Sequence, residues 1–183
     1  WGKMLFTKGL VSSPRVVRSD SAYYVFFKSN HMGYTGIYRL DSPSGRLDVM
    51  FKGGRTGKAE LLHLFENNFS LSGDSLLVFS AKSQGGDKLN ILDTRKDKLI
   101  LSTRFADIAS IRDPAFSHDG KHIVFSGVDF SGFPNLYVYD IENDKLFPVT
   151  DDIYNEEAPL FLPGDTSLLF IGDNLVGGAD GLT

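Results

Sequence analysis

The chain has 183 residues, with 19 basic and 23 acidic side chains and a formal net charge of −4. A hydrophobic content of 42% excludes a disordered chain, 23% charged residues exclude a simple membrane protein, and no apolar run approaches the ~20 residues of a spanning helix. With no cysteine, disulfides, thiol catalysis and zinc–thiolate sites are excluded, while 13% aromatics beside 19 Gly and 7 Pro point to an all-β, turn-rich protein.

In chain order, residues 1–7 read as an outer strand of a preceding unit, and residues 1–25 carry no basic-then-apolar leader, so a secretion signal is absent or already removed. The first complete unit has strands at Tyr23–Lys28, Ile37–Leu40 and Leu47–Phe51, the last two joined by Asp41-Ser42-Pro43-Ser44-Gly45. A basic, glycine-containing linker, Lys52-Gly53-Gly54-Arg55-Thr56-Gly57-Lys58, leads to strands at Leu76–Ser80, Leu89–Asp93 and Leu99–Ser102. Next come Asp113–Phe116, expected to be short and extended because Pro114 biases Asp113 away from helix, then the apolar run His122–Ser126, then Leu136–Asp140 and Leu146–Thr150. Pro148 cannot donate to a ladder on both sides, which makes that last strand an edge. After Phe170–Gly172 the chain ends in a glycine-rich tail.

These strands repeat. Residues 69–79 read FSLSGDSLLVF, residues 116–125 FSHDGKHIVF and residues 161–170 FLPGDTSLLF, each closing on a phenylalanine. Phe79, Phe125 and Phe170 fall at intervals of 46 and 45, and a weaker copy ends at Phe26-Phe27. A period of this size is that of a propeller blade. The predicted fold is a β-propeller of four-stranded antiparallel blades, an incomplete set within one domain. The blades run near 8–53, 60–104 and 106–151, with a truncated fourth over 154–183.

The run DPAFSHDGKHIVFSG, followed by NLYVYDIENDKLFPVTDD and APLFLPGDTSLLF, resembles the Ser-Pro-Asp-Gly-Lys repeats of TolB-like β-propellers, a WD40-like repeat family. Here Ser117-His118-Asp119-Gly120-Lys121 carries histidine where the family has proline, and Val149-Thr150 stands for the usual Leu-Thr. The resemblance implies an extracytoplasmic, periplasmic setting and a scaffold that binds a protein or peptide partner within a larger bacterial envelope protein. The same repeats also precede bacterial peptidase domains, so a propeller that gates substrate for a catalytic domain outside this chain is the alternative. A glycosidase built on channel carboxylates is a second alternative.

The candidate chemistry lies in the acids. Glu66 and Asp113 occupy equivalent positions before the innermost strand, with Glu156 and Glu157 close to that position in the next repeat. Innermost strands line a propeller channel, so these four are the expected partner-binding acids at its mouth, suited to a cationic segment. Their other roles would be capping inner strands, or acid–base hydrolysis, which needs two carboxyls at about 5–10 Å. Phe130 and Phe133, in a Gly/Pro loop, are candidate exposed anchors, whereas Tyr137 and Tyr139 alternate with Leu136 and Val138 as core.

Other motifs fail on their chemistry. Lys52–Lys58 lacks the first glycine and the hydroxyl residue of a phosphate-binding loop. His118 and His122 are four apart, but on a turn and strand rather than a helix, so no metal site is expected. Carboxylate oxygens suit calcium, yet nothing singles it out, and no cofactor is expected. No Gly-x-Ser-x-Gly occurs, and no catalytic residue is assigned. Residues 1–106 carry a net charge of +7 and residues 107–183 a net charge of −11. That dipole can steer a charged partner. The basic residues are scattered, with no aromatic-plus-arginine motif, which excludes nucleic acid as the expected partner.

Overall fold

Apolar runs separated by short turns pair with their chain neighbours, because a tight turn returns the strand antiparallel. In the computed structural model, which describes residues 9–19, 22–42, 44–54, 62, 69–73, 75–129 and 132–173, these runs make three four-stranded sheets and one two-stranded sheet. The first blade is β1 (Val11–Ser19), β2 (Ala22–Ser29), β3 (Gly36–Ser42) and β4 (Leu47–Lys52). The second is β5 (Phe69–Ser72), β6 (Leu76–Ser83), β7 (Gly86–Asp93) and β8 (Lys98–Thr103). The third is β9 (Ser110–Phe116), β10 (His122–Val128), β11 (Pro134–Asp140) and β12 (Lys145–Pro148), and β13 (Glu156–Phe161) with β14 (Leu168–Gly172) begins a fourth. Within each sheet the strands lie side by side in sequence order, so every blade is a meander. The fold is all-β, an incomplete propeller of four-stranded antiparallel blades. Pro148 falls in β12, the edge strand of its sheet, as expected.

Strand alternation gives each blade two faces, and stacking them makes the core. Leu77 and Phe79 pack back onto Phe26, Ile37 and Met50 of the first blade. Ile123, Phe125, Tyr137 and Tyr139 pack in the same way onto Val78, Leu89 and Ile91 of the second. Residues 123–126 are buried on both faces for this reason, and the inner strand β9 touches β5 on one side and β13 on the other.

The inner strands depart from the expected geometry. Asp113 is not extended: its φ is +47°, and Ser13 and Ala158 at the matching positions have φ +53° and +51°. Each precedes a proline, Pro14, Pro114 or Pro159, and each lies where the pairing slips by a residue. A bulge places the proline in an inner strand and turns the preceding residue into the left-handed region, which aspartate tolerates better than most side chains.

Polar bonds join neighbouring blades. The Arg39 guanidinium donates to the Thr94 carbonyl at 2.9 Å and to Asp48 at 2.8 Å, joining the first blade to the second. The buried Asp87 carboxylate accepts from the Ile111 amide at 2.9 Å and the Ser110 hydroxyl at 3.1 Å, joining the second to the third. Asp165 joins the fourth to the third: its carboxylate accepts from the amides of His118 at 2.8 Å and Asp119 at 3.0 Å, with His118 Nδ1 also 2.8 Å away. These bonds, the backbone one foremost, hold the Asp165 carboxyl below its usual range. Histidine at 118 thus supplies an amide hydrogen that proline would lack. Replacing Asp165 by Ala should speed hydrogen exchange at the His118 and Asp119 amides while leaving core amides such as Val124 unchanged. Unchanged exchange at both turn amides would show that the bond does not hold the turn.

Candidate functional site

Where β9 meets β13, the ends of the third and fourth blades enclose a groove of about 520 Å³. Its charged and polar lining is Arg112, Glu157, Asn155 and Asp173, with Pro134 and Ile171 as apolar walls. Arg112 and Glu157 share a register position on successive inner strands, each placed opposite the second strand just before the bulge. That places them side by side, and the Arg112 guanidinium lies 3.4 Å from the Glu157 carboxylate. Both ends of this pair are well exposed, at 40% and 51%, so the pair contributes little to stability and is open to exchange. Asp173 anchors the other side by accepting from the Asn155 amide at 2.7 Å, and its bonds to Asn155 hold its carboxyl below the usual range.

The predicted acids separate. Glu157 lines the groove. Glu156, its neighbour in sequence, points the opposite way and is buried, which removes it from a partner-binding surface. Its carboxylate accepts a hydrogen bond from the Thr150 hydroxyl, and its carbonyl accepts one from Ser126 at 2.6 Å across the blade joint. Burial pushes the Glu156 carboxyl above its ordinary range, against the pull of the Thr150 hydroxyl. Asp113 is half-buried on the bulge and acts on Lys28. Burial lowers the Lys28 ammonium to about 8, and the Asp113 charge opposes that shift.

Glu66 lies outside the described residues, as do Phe130, residues 1–7 and the glycine-rich tail. Phe133 is exposed just before β11, while Tyr137 and Tyr139 are core, as expected. Sequence reading missed Arg112, Asn155 and Asp173. The signal for Arg112 was its repeat position beside Asp113, one residue ahead of the predicted acid.

A second groove of about 520 Å³ runs between residues 104–108 and the outer strands of the third blade. Tyr137 lies at its floor, 3.4 Å from Asp129, and burial together with the Asp129 charge pushes its hydroxyl up to about 12. Among the described residues, no three His, Asp or Glu side chains converge to hold a metal, and no helix is long and apolar enough to cross a membrane.

No protein-family model matches the chain, and no curated relative matches it by sequence. Solved structures do. TolB from Acinetobacter baumannii is 17% identical with a TM-score of 0.68, over 88% of this chain and 37% of that one. A putative TolB from Agrobacterium tumefaciens is 14% identical with a TM-score of 0.59, over 86% of this chain and 68% of that one. An oligogalacturonate lyase in complex with manganese is 17% identical with a TM-score of 0.62, over 88% of this chain and 44% of that one. At these identities the likeness is one of fold. The chain spans 37% of the Acinetobacter TolB, and its fold is that of TolB-like propellers.

Proposed function

We propose that this chain is a non-catalytic protein-binding and scaffolding propeller module of a larger bacterial envelope protein. Its groove between the third and fourth blades takes an extended, cationic segment of a partner. The observation that carries the reading is Glu157: a half-exposed carboxylate at a groove mouth, held by one exposed arginine that an incoming lysine or arginine can displace. Asp113, next to Arg112 in β9, adds negative charge to the same inner strand.

Support for binding over hydrolysis comes from the fate of the acids. A glycosidase needs two carboxyls facing each other across the sugar, and Glu156 is occupied with Thr150 inside the blade joint. The extracytoplasmic setting rests on the likeness to the two TolB structures and on the repeat words.

The test is a short fluorescent peptide alternating lysine with serine and valine, titrated by anisotropy against the wild type and the Asp113→Asn, Glu157→Gln double variant. Asparagine tolerates the left-handed backbone at 113, so the fold is kept. Binding should weaken about tenfold, and the wild-type affinity should fall with salt. Equal binding by wild type and double variant, with circular dichroism unchanged, would sink the channel-mouth reading.

A further inference from the structure

The groove floored by Tyr137 has walls from the third blade, a complete four-stranded sheet, and from the 104–108 segment that leads into it. Packing fixes both walls. Phe105 is stacked on Phe125 at 5.6 Å and set edge-on to Tyr139 at 5.2 Å, and the Ile108 amide donates to the Phe105 carbonyl at 3.2 Å. Opposite, the Thr150 hydroxyl accepts from the Leu136 amide at 2.8 Å. The groove is therefore preformed, and its volume of about 520 Å³ is that of a small-molecule site.

Three carboxylates line it from three separate segments: Asp107 from the turn before β9, Asp129 after β10 and Asp151 after β12. The side chains of Asp107 and Asp151 are exposed and make no hydrogen bond or ion pair among the described residues. Arg104, the basic residue of the lining, is engaged elsewhere: its guanidinium donates to the Ser83 hydroxyl at 2.8 Å and the Gln84 carbonyl at 2.6 Å. Tyr137 is 9% exposed, and its hydroxyl lies 3.4 Å from Asp129, far beyond the roughly 2.5–2.7 Å of a hydroxyl–carboxylate bond. After burial, the charges of Asp129, Asp151 and Asp107 are what push that hydroxyl up, so all three act on one point of the floor. They surround it without converging, since among the described residues no three such side chains are placed to hold one metal ion. Phe105, Leu146 and Pro148 supply apolar wall between them.

Spread negative charge over an apolar surface matches a point cation poorly and separated ammonium groups on a methylene chain well. We propose that this groove binds a linear aliphatic polyamine, its ammonium groups at the three carboxylates and its methylenes along Phe105, Leu146 and Pro148. An ammonium at Asp129 also donates to the Tyr137 oxygen, and the alkyl chain gains by leaving water. The site shares no lining residue with the groove that holds Glu157 and does not depend on what that groove binds.

Calorimetric titration of spermidine into the 183-residue chain tests this, beside an Asp107→Asn, Asp151→Asn double variant whose fold is checked by circular dichroism. The wild type should bind with a Kd below ~1 mM, and the double variant about tenfold more weakly or worse. Magnesium chloride at matched ionic strength should not displace the triamine. Amide shifts on adding spermidine to ¹⁵N-labelled protein should cluster at residues 105–108, 129 and 150–151. No binding by the wild type at ~1 mM, or equal binding by the double variant, would overturn the proposal. Shifts centred on Glu157 and Asp173 would move the ligand to the other groove and overturn it too. Displacement by magnesium would do the same, by showing a counterion atmosphere in place of a site.

Discussion

Replacing Phe125 by Ala should cost ~3–5 kcal/mol, while the same change at the repeat-equivalent Phe170 should cost less than ~1 kcal/mol. The two residues close the same repeat word and differ in what lies around them. Phe125 is fully buried, stacked on Phe105 at 5.6 Å and on Tyr137 at 5.7 Å between ring centroids. Truncating it removes those ring contacts and opens a cavity in the joint between the second and third blades. The site cannot collapse easily, because Tyr137 is held on its other side by the Gly127 backbone, where even an added Cβ would lie 2.8 Å from the ring. Phe170 is 41% exposed and has little surrounding it to lose. Urea denaturation of both variants reads the difference as a shift in midpoint at constant slope. Similar losses at both sites would mean that the fourth blade packs on the third as closely as the third packs on the second.

The blade order was legible because each unit closes on a phenylalanine that must face the preceding blade. Phe79 and Phe125 do so, and the interval between them sets the length of one meander. Pro148 announced an edge strand because a proline lacks the hydrogen an interior strand donates. The bulges were not legible in the same way. Proline disfavours helix at the residue before it, and that local rule cannot separate an extended Asp113 from one at φ +47°. The separation comes from pairing with β10, which slips by one residue between Val124 and Ser126. The 45-residue interval between Pro114 and Pro159 was the available signal, since a proline recurring in successive inner strands needs a bulge to accommodate it.

The candidate site was half legible for a related reason. Strand alternation alone sends one of two adjacent glutamates inward and the other outward, but it does not say which. The structure sends Glu156 in and Glu157 out. Arg112 joins Glu157 from across the blade joint, while Asp173 reaches the groove from the residue after β14, the strand paired with Glu157's own, and closeness of these kinds is set by stacking and strand pairing rather than by spacing along the chain.

Glu156 is the place where burial and charge conflict, and the conflict fixes a pH dependence. Its folded-state carboxyl is raised by burial, so the folded protein holds that proton more tightly than the unfolded chain does. Below the unfolded value of about 4.3 both states are protonated and the group is neutral in its effect. As pH rises through that value the unfolded chain ionises first, and the folded state loses relative stability until its own carboxylate forms. Glu156→Gln keeps an oxygen for the Thr150 hydroxyl and never carries the charge. It should therefore match the wild type near pH 4 and become the more stable of the two as pH rises to neutrality. Glu156→Ala should differ from both. It leaves the Thr150 hydroxyl, which itself accepts from the Leu136 amide at 2.8 Å, with only the long contact to Asn135 Oδ1 at 3.5 Å as an acceptor, and should cost ~1–3 kcal/mol at pH 4. Urea midpoints for the three proteins across this range separate the contributions of bond and charge. If glutamine proves as destabilising as alanine at neutral pH, the ionised carboxylate is itself holding the third and fourth blades together, and burial is not the dominant influence on this residue.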